Sequence, residues 1–130
     1  MTRQPTPLAI AAGERSPRVL FDAGKGTLHI SGESYPEDAA AFFGPILCAL
    51  QEQLNEAGPP LQVDLELVYF NSSSAKALMN IFQILESAAA RGRQIAINWH
   101  YHPDDDTMEE FGQDFAEDFK HADFRVVPRE

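Results

Sequence analysis

Cysteine is the first shortage in this chain: Cys48 is the only one in 130 residues. No disulfide framework can form within the chain, which suits a reducing compartment, so packing alone must hold the domain. Cys48 falls in an apolar helical run, which predicts a small buried core residue. Basic side chains are the second shortage, 10 Lys and Arg against 20 Asp and Glu, for a net charge of −10. Binding to a phosphate backbone or an anionic membrane surface depends on cations that this balance does not provide. The favoured partner is instead a protein with a basic patch. No run is long and apolar enough to span a bilayer, and Met1 to Gly13 lacks the apolar core of a signal peptide. These absences predict a cytoplasmic protein with no nucleic-acid partner and no direct membrane insertion.

Catalytic signatures are missing as well. No Gly-x-Ser-x-Gly turn is present, and Gly24-Lys25-Gly26-Thr27 lacks the spacing of a phosphate loop. That stretch reads as a hairpin turn between strands at Val19 to Asp22 and Thr27 to Ser31. His100, His102 and Asp104 to Asp106 invite a metal reading, but Pro103 breaks the strand and no third and fourth ligands share the face. The expectation is no metal, no cofactor and no enzyme.

What the chain does contain is one alternation of strands and helices. Residues 1–16 show no period and read as a flexible arm, leaving 17–130 as a single domain. Ser34 and Glu37 have the spacing of a capping box, with Pro36 in the first turn of a helix running to about Ala57. Phe43, Ile46, Leu47, Leu50 and Leu54 form its apolar stripe. Leu61 to Phe70 alternates with period two, its Leu61, Val63, Leu65, Leu67 and Tyr69 pointing one way. A central helix from Ser72 to about Arg91 buries Leu78, Met79, Phe82, Leu85 and Ala89. A strand from Gln94 to Tyr101 follows. The third helix has Met108, Phe111, Phe115 and Phe119 as its stripe, and a last strand lies near Phe124 to Val127. The polar alternate faces of the strands predict helices packed mainly on one face of the sheet. The fold class is α/β: a two-layer sandwich with a mixed five-stranded sheet in the order β-β-α-β-α-β-α-β.

The most informative stretch is Tyr69-Phe70-Asn71-Ser72-Ser73-Ser74-Ala75-Lys76, where a strand hands over to a helix. A helix N-terminus needs one cap and offers unpaired N–H groups to an anion. Three hydroxyls exceed the needs of a cap, so one of them is expected to be chemically used. Eight acids and no base occupy Asp104 to Asp118, a face that solvates a helix or steers a basic partner.

With Gly32-Glu33-Ser34-Tyr35-Pro36-Glu37, Phe42-Phe43-Gly44-Pro45, and Trp99, Tyr101, Asp104 to Asp106, Met108, Glu110, Gly112 and Asp114-Phe115, that stretch resembles the SiaC family of small bacterial phosphoproteins. The resemblance runs from about Leu28 to Phe124. It implies a fold similar to STAS-type anti-sigma-factor antagonists and a partner switch. A dedicated serine/threonine kinase phosphorylates one hydroxyl, and a PP2C-type phosphatase removes the phosphate. The unmodified form binds and activates a diguanylate cyclase, raising cyclic di-GMP and promoting biofilm. The family's acceptor follows the Asn of the Tyr-Phe-Asn motif, so it maps onto Ser72. The implied partner surface comprises Glu33, Tyr35, Tyr69, Asn71, Ser72, Ser73, Ser74 and Lys76. Ser72 stands where the type member has threonine, His102-Pro103 where an acid tends to follow the aromatic, and Gln113 in place of Glu. The alternative on the same fold is an anti-sigma-factor antagonist that controls transcription through a serine kinase.

Overall fold

A computed structural model of the chain describes residues 8–55 and 58–129. The strands are β1 (Leu8–Ile10), β2 (Arg18–Asp22), β3 (Thr27–Ser34), β4 (Leu61–Phe70), β5 (Ile95–Tyr101) and β6 (Asp123–Pro128). The helices are α1 (Ala39–Leu54), α2 (Ser72–Ala90) and α3 (Asp106–Ala116). All six strands form one sheet in chain order. The first two pairings are antiparallel and the last three parallel.

Each parallel pairing is bridged by one helix, and the sheet steps in the same direction each time. Crossovers share a right hand, so repeated steps in one direction stack their helices on one face. That face carries the core. Val19, Leu28, Ile30, Val63, Leu65, Ile97 and Trp99 meet Phe43, Ile46 and Leu50 of α1 and Leu78, Ile81 and Leu85 of α2, all almost wholly buried. Gly112 lets α3 lie against the indole of Trp99. A Cβ there would sit 2.5 Å from Trp99 Cδ1, while Trp99 Nε1 donates to the Met108 carbonyl at 2.9 Å.

The other face is polar, and its side chains pair across strands. His100 Nε2 lies 2.9 Å from Asp64 Oδ1, and His29 Nε2 lies 2.8 Å from Glu66 Oε2. Gln62 and Asn98 also donate to Asp64. Partial burial raises the Asp64 pKa, but the hydrogen bonds from His100, Gln62 and Asn98 and the His100 charge outweigh it and leave it lowered. His100 is thus committed to a carboxylate on its own sheet. Among the described residues, no three His, Cys, Asp or Glu side chains converge as a metal site would require.

Several expectations need correction. The sheet has six strands, not five, and the sixth comes from the segment read as a flexible arm: Leu8–Ile10 pairs with β2. Three residues are too few to show a period. Residues 1–7 of that arm lie outside the described residues, as does the expected helix end at Ala57. The Ser34/Glu37 capping box does not form, because β3 runs on to Ser34 and Asp38 caps α1, accepting from Ala41 N at 3.0 Å. Cys48 is exposed, since it lies off the stripe of Phe43, Ile46 and Leu50. On α2 the buried stripe is Ala77, Leu78, Ile81, Phe82, Leu85 and Ala88, which leaves Met79 outside and Ala89 only half-buried. On α3 Phe111, expected in the stripe, is exposed.

Candidate functional site

The site is built where β3 and β4 end together. Gly32 pairs with Leu67 and Glu33 with Tyr69, so Val68 has no opposite residue and β4 bulges. Gly32 sits at φ +107°, a left-handed conformation that glycine adopts without strain. The extra residue reverses the facing of the strand end. Leu67 is buried, Val68 and Tyr69 are 57% and 51% exposed, and Phe70 turns back into the core. Strict alternation predicts Tyr69 on the core side; the bulge puts it outside, where its ring packs edge-on against Tyr35 at 5.7 Å.

Phe70 anchors the turn against Trp99 and Phe111. Asn71 then opens α2, its extended backbone at φ −91° and ψ 179°. Its side chain accepts from Ser74 N at 2.9 Å, and its carbonyl accepts from Ala75 N at 2.9 Å. One Asn therefore does the work of the cap. Its own N–H donates to the Ser34 carbonyl at 3.1 Å, which ties the start of α2 to the end of β3.

The three serines divide by exposure. Ser72 and Ser73 are exposed. Ser74 is 0% exposed, and its hydroxyl receives the hydroxyl of Ser34, itself 1% exposed, at 2.8 Å. Ser74, expected on the partner surface, is instead an internal pin, because the helical turn that exposes positions 72 and 73 rotates position 74 inward. Ser73 lines a cleft of about 480 Å³ between α1 and α2, together with Glu37, Asp38, Lys76 and Asn80. Ser72 is not part of that cleft. Lys76 is exposed one turn further along α2, and Arg15 pairs with Glu37 at 2.7 Å on the rim. The fold thus gathers Glu33, Tyr35, Tyr69, Asn71, Ser72, Ser73 and Lys76 around one helix N-terminus at the carboxyl ends of parallel strands, a place where α/β sheets commonly bind ligands. Chemically, it is an exposed hydroxyl with a cap already in place, the first N–H groups of a helix beside it, and the cation Lys76 one turn along.

The family model for SiaC family regulatory phosphoproteins matches residues 10–129. This chain belongs to that family. An uncharacterised protein of Pseudomonas aeruginosa strain UCBPP-PA14 is 35% identical over 111 residues, covering 85% of this chain and 88% of that protein. The structure of SiaC of Pseudomonas aeruginosa is similar with a TM-score of 0.84 at 32% identity, covering 96% of this chain and 98% of that one. A chain in the crystal structure of the diguanylate cyclase SiaD in complex with its activator SiaC, also from Pseudomonas aeruginosa, is similar with a TM-score of 0.87 at 32% identity, covering 92% and 98%. This SiaC-family chain keeps the family fold of one mixed sheet with three helices.

Sequence reasoning missed two features of the site. The spacing of Ser34 predicts a helix cap, and nothing in its neighbours signals a hydroxyl that reaches a serine forty residues away. The β4 bulge was missed too, although a glycine opposite a strand end is the signal that could have found it.

Proposed function

We propose that this SiaC-family protein is a phosphorylation-gated switch: unmodified, it binds and activates a diguanylate cyclase, and phosphate on Ser72 releases that partner. It acts by binding in the cytoplasm and carries out no catalysis of its own. A serine/threonine kinase and a PP2C-type phosphatase set its state, and the output is cyclic di-GMP. The single observation that carries this reading is the division of the three hydroxyls. Ser74 is internally bonded and inaccessible. Ser73 opens into a cleft lined by Lys76 but also by the carboxylates of Glu37 and Asp38, two acids against one base for a phosphate placed there. Ser72 is exposed at the first position of α2 and free of that cleft.

A phosphate adds about −1.5 to −2 charge and three acceptor oxygens. On Ser72 the helix N-terminus and Lys76, four residues on, can stabilise it locally. A partner surface fitted to a neutral hydroxyl must instead desolvate a bulky dianion, and it dissociates without any large rearrangement of the fold. The test is to incubate the chain with its cognate kinase and ATP and locate the phosphate by mass spectrometry. One phosphate on Ser72, lost in Ser72→Ala, is expected; a phosphate on Ser73 would contradict the assignment.

A further inference from the structure

The long outer face of α2 continues away from Ser72 to a second feature. Met79 is seven residues on, so it lies on the same side of the helix about 10 Å along it. It is 46% exposed. It opens a groove of about 450 Å³ between α2 and the end of α3, walled by Phe82, Phe115 and Phe119 and by the polar side chains of Gln83, Glu86 and Ser87. Phe82 holds this wall together, with Phe115 at 5.1 Å and Phe119 at 5.6 Å between ring centroids. The floor is fixed by Glu86, whose carboxylate accepts the backbone N–H groups of Lys120, His121 and Ala122.

One rim of the groove is anionic. Asp118 lines it, while Asp114, one turn earlier on α3, and Glu117, next to Asp118 in sequence, lie outside the lining but close by along the chain. All three are exposed, and none takes part in an ion pair among the described residues. A trough with one aromatic wall, one polar wall and an exposed carboxylate on its rim complements one kind of occupant: an amphipathic helix with apolar side chains at three- and four-residue spacing and Lys or Arg along its flank. We infer that this groove is a docking site for such a basic amphipathic helix, contributed by the diguanylate cyclase. This rests on the proposed function and adds a second anchor to it, on the same side of α2 as Ser72 but chemically independent of the phosphate.

The test is calorimetric titration of the full chain with the diguanylate cyclase of the same organism, at low and at raised salt. The variants are Met79→Glu, Asp114→Asn/Asp118→Asn and Ser72→Asp, each checked by thermal melting. Met79→Glu should weaken binding at least tenfold. The double Asn variant removes two exposed charges, one on the rim and one a turn away, so it probes the groove even if Met79→Glu folds poorly. It should weaken binding severalfold at low salt and flatten the salt dependence. If Ser72→Asp weakens binding while Met79→Glu and the double Asn variant bind as wild type, the groove is not a docking site and the switch stands. If the wild-type chain does not bind the cyclase at all, both readings fall. A dimer of this chain that Met79→Glu dissolves, with cyclase binding unaltered, would assign the groove to a second copy and overturn the inference.

Discussion

At the scale of single residues, the serines at the start of α2 have separable jobs, and substitutions should separate them. Asn71 already caps the helix, so Ser72→Ala should leave both stability and cyclase binding close to wild type. Ser72→Asp places one negative charge at the positive end of the helix, which should hold stability level or raise it slightly. The same carboxylate, desolvated inside an interface without a matching cation, should weaken binding by about 1–3 kcal/mol. Thermal melts and titration calorimetry on the two variants check this; binding and stability falling together would mean that the site is a fold element only. Ser34 and Ser74 form the opposite case. Either serine changed alone to Ala leaves a buried hydroxyl without its partner and should cost about 1–3 kcal/mol. Changing both should cost less than the sum of the two, a coupling that denaturant unfolding of all four proteins would measure. The exposed part of this arrangement was legible in the sequence, because three hydroxyls after a strand exceed what a cap needs. The buried part was not, because a side-chain pair forty residues apart leaves no local trace.

At the scale of elements, α2 organises both ends of the molecule. Its N-terminus presents Ser72, and Glu86 near its other end clasps the chain that leads into β6. Partial burial raises the pKa of that carboxyl, but hydrogen bonds from Ala122 N, the His121 side chain, Lys120 N and His121 N outweigh it and bring it to about 2 from an ordinary 4.5. A depressed folded-state value means that the stabilisation is complete above about pH 4.5 and is lost as pH falls towards 2. Unfolding measured from neutral to acid pH should show wild type losing stability in that window, whereas Glu86→Gln should begin lower and lose less of it. An equal acid dependence in the two proteins would remove the clasp from the account. The helical periods were legible because amphipathic stripes repeat many times over a long segment. Single positions are less legible: the period predicts Met79 buried, yet it sits at the seam between the core stripe and the solvent face. A bulge reversed Tyr69 in the same way, since one inserted residue shifts a period-two pattern by half its repeat.

At the scale of the whole molecule, the one-sided architecture follows from polar alternate strand faces and three crossovers of the same hand. Those polar faces are visible in Gln62, Asp64 and Glu66 and in Asn98 and His100, so the covered side of the sheet is legible in the sequence. The edge strand Leu8–Ile10 could not, because its order comes from pairing with β2 and not from its own three residues. Family membership adds what geometry alone does not: a relative that activates a cyclase, built on the same fold. The central claim is that phosphate on Ser72 separates this chain from its cyclase. The most direct measurement is the affinity of the cyclase for unmodified and for kinase-phosphorylated protein, taken with cyclic di-GMP production in each mixture. Unmodified protein should bind and raise production, and the Ser72-phosphorylated form should bind at least tenfold more weakly and leave production at its basal rate. Equal or tighter binding by the phosphorylated form would contradict the account.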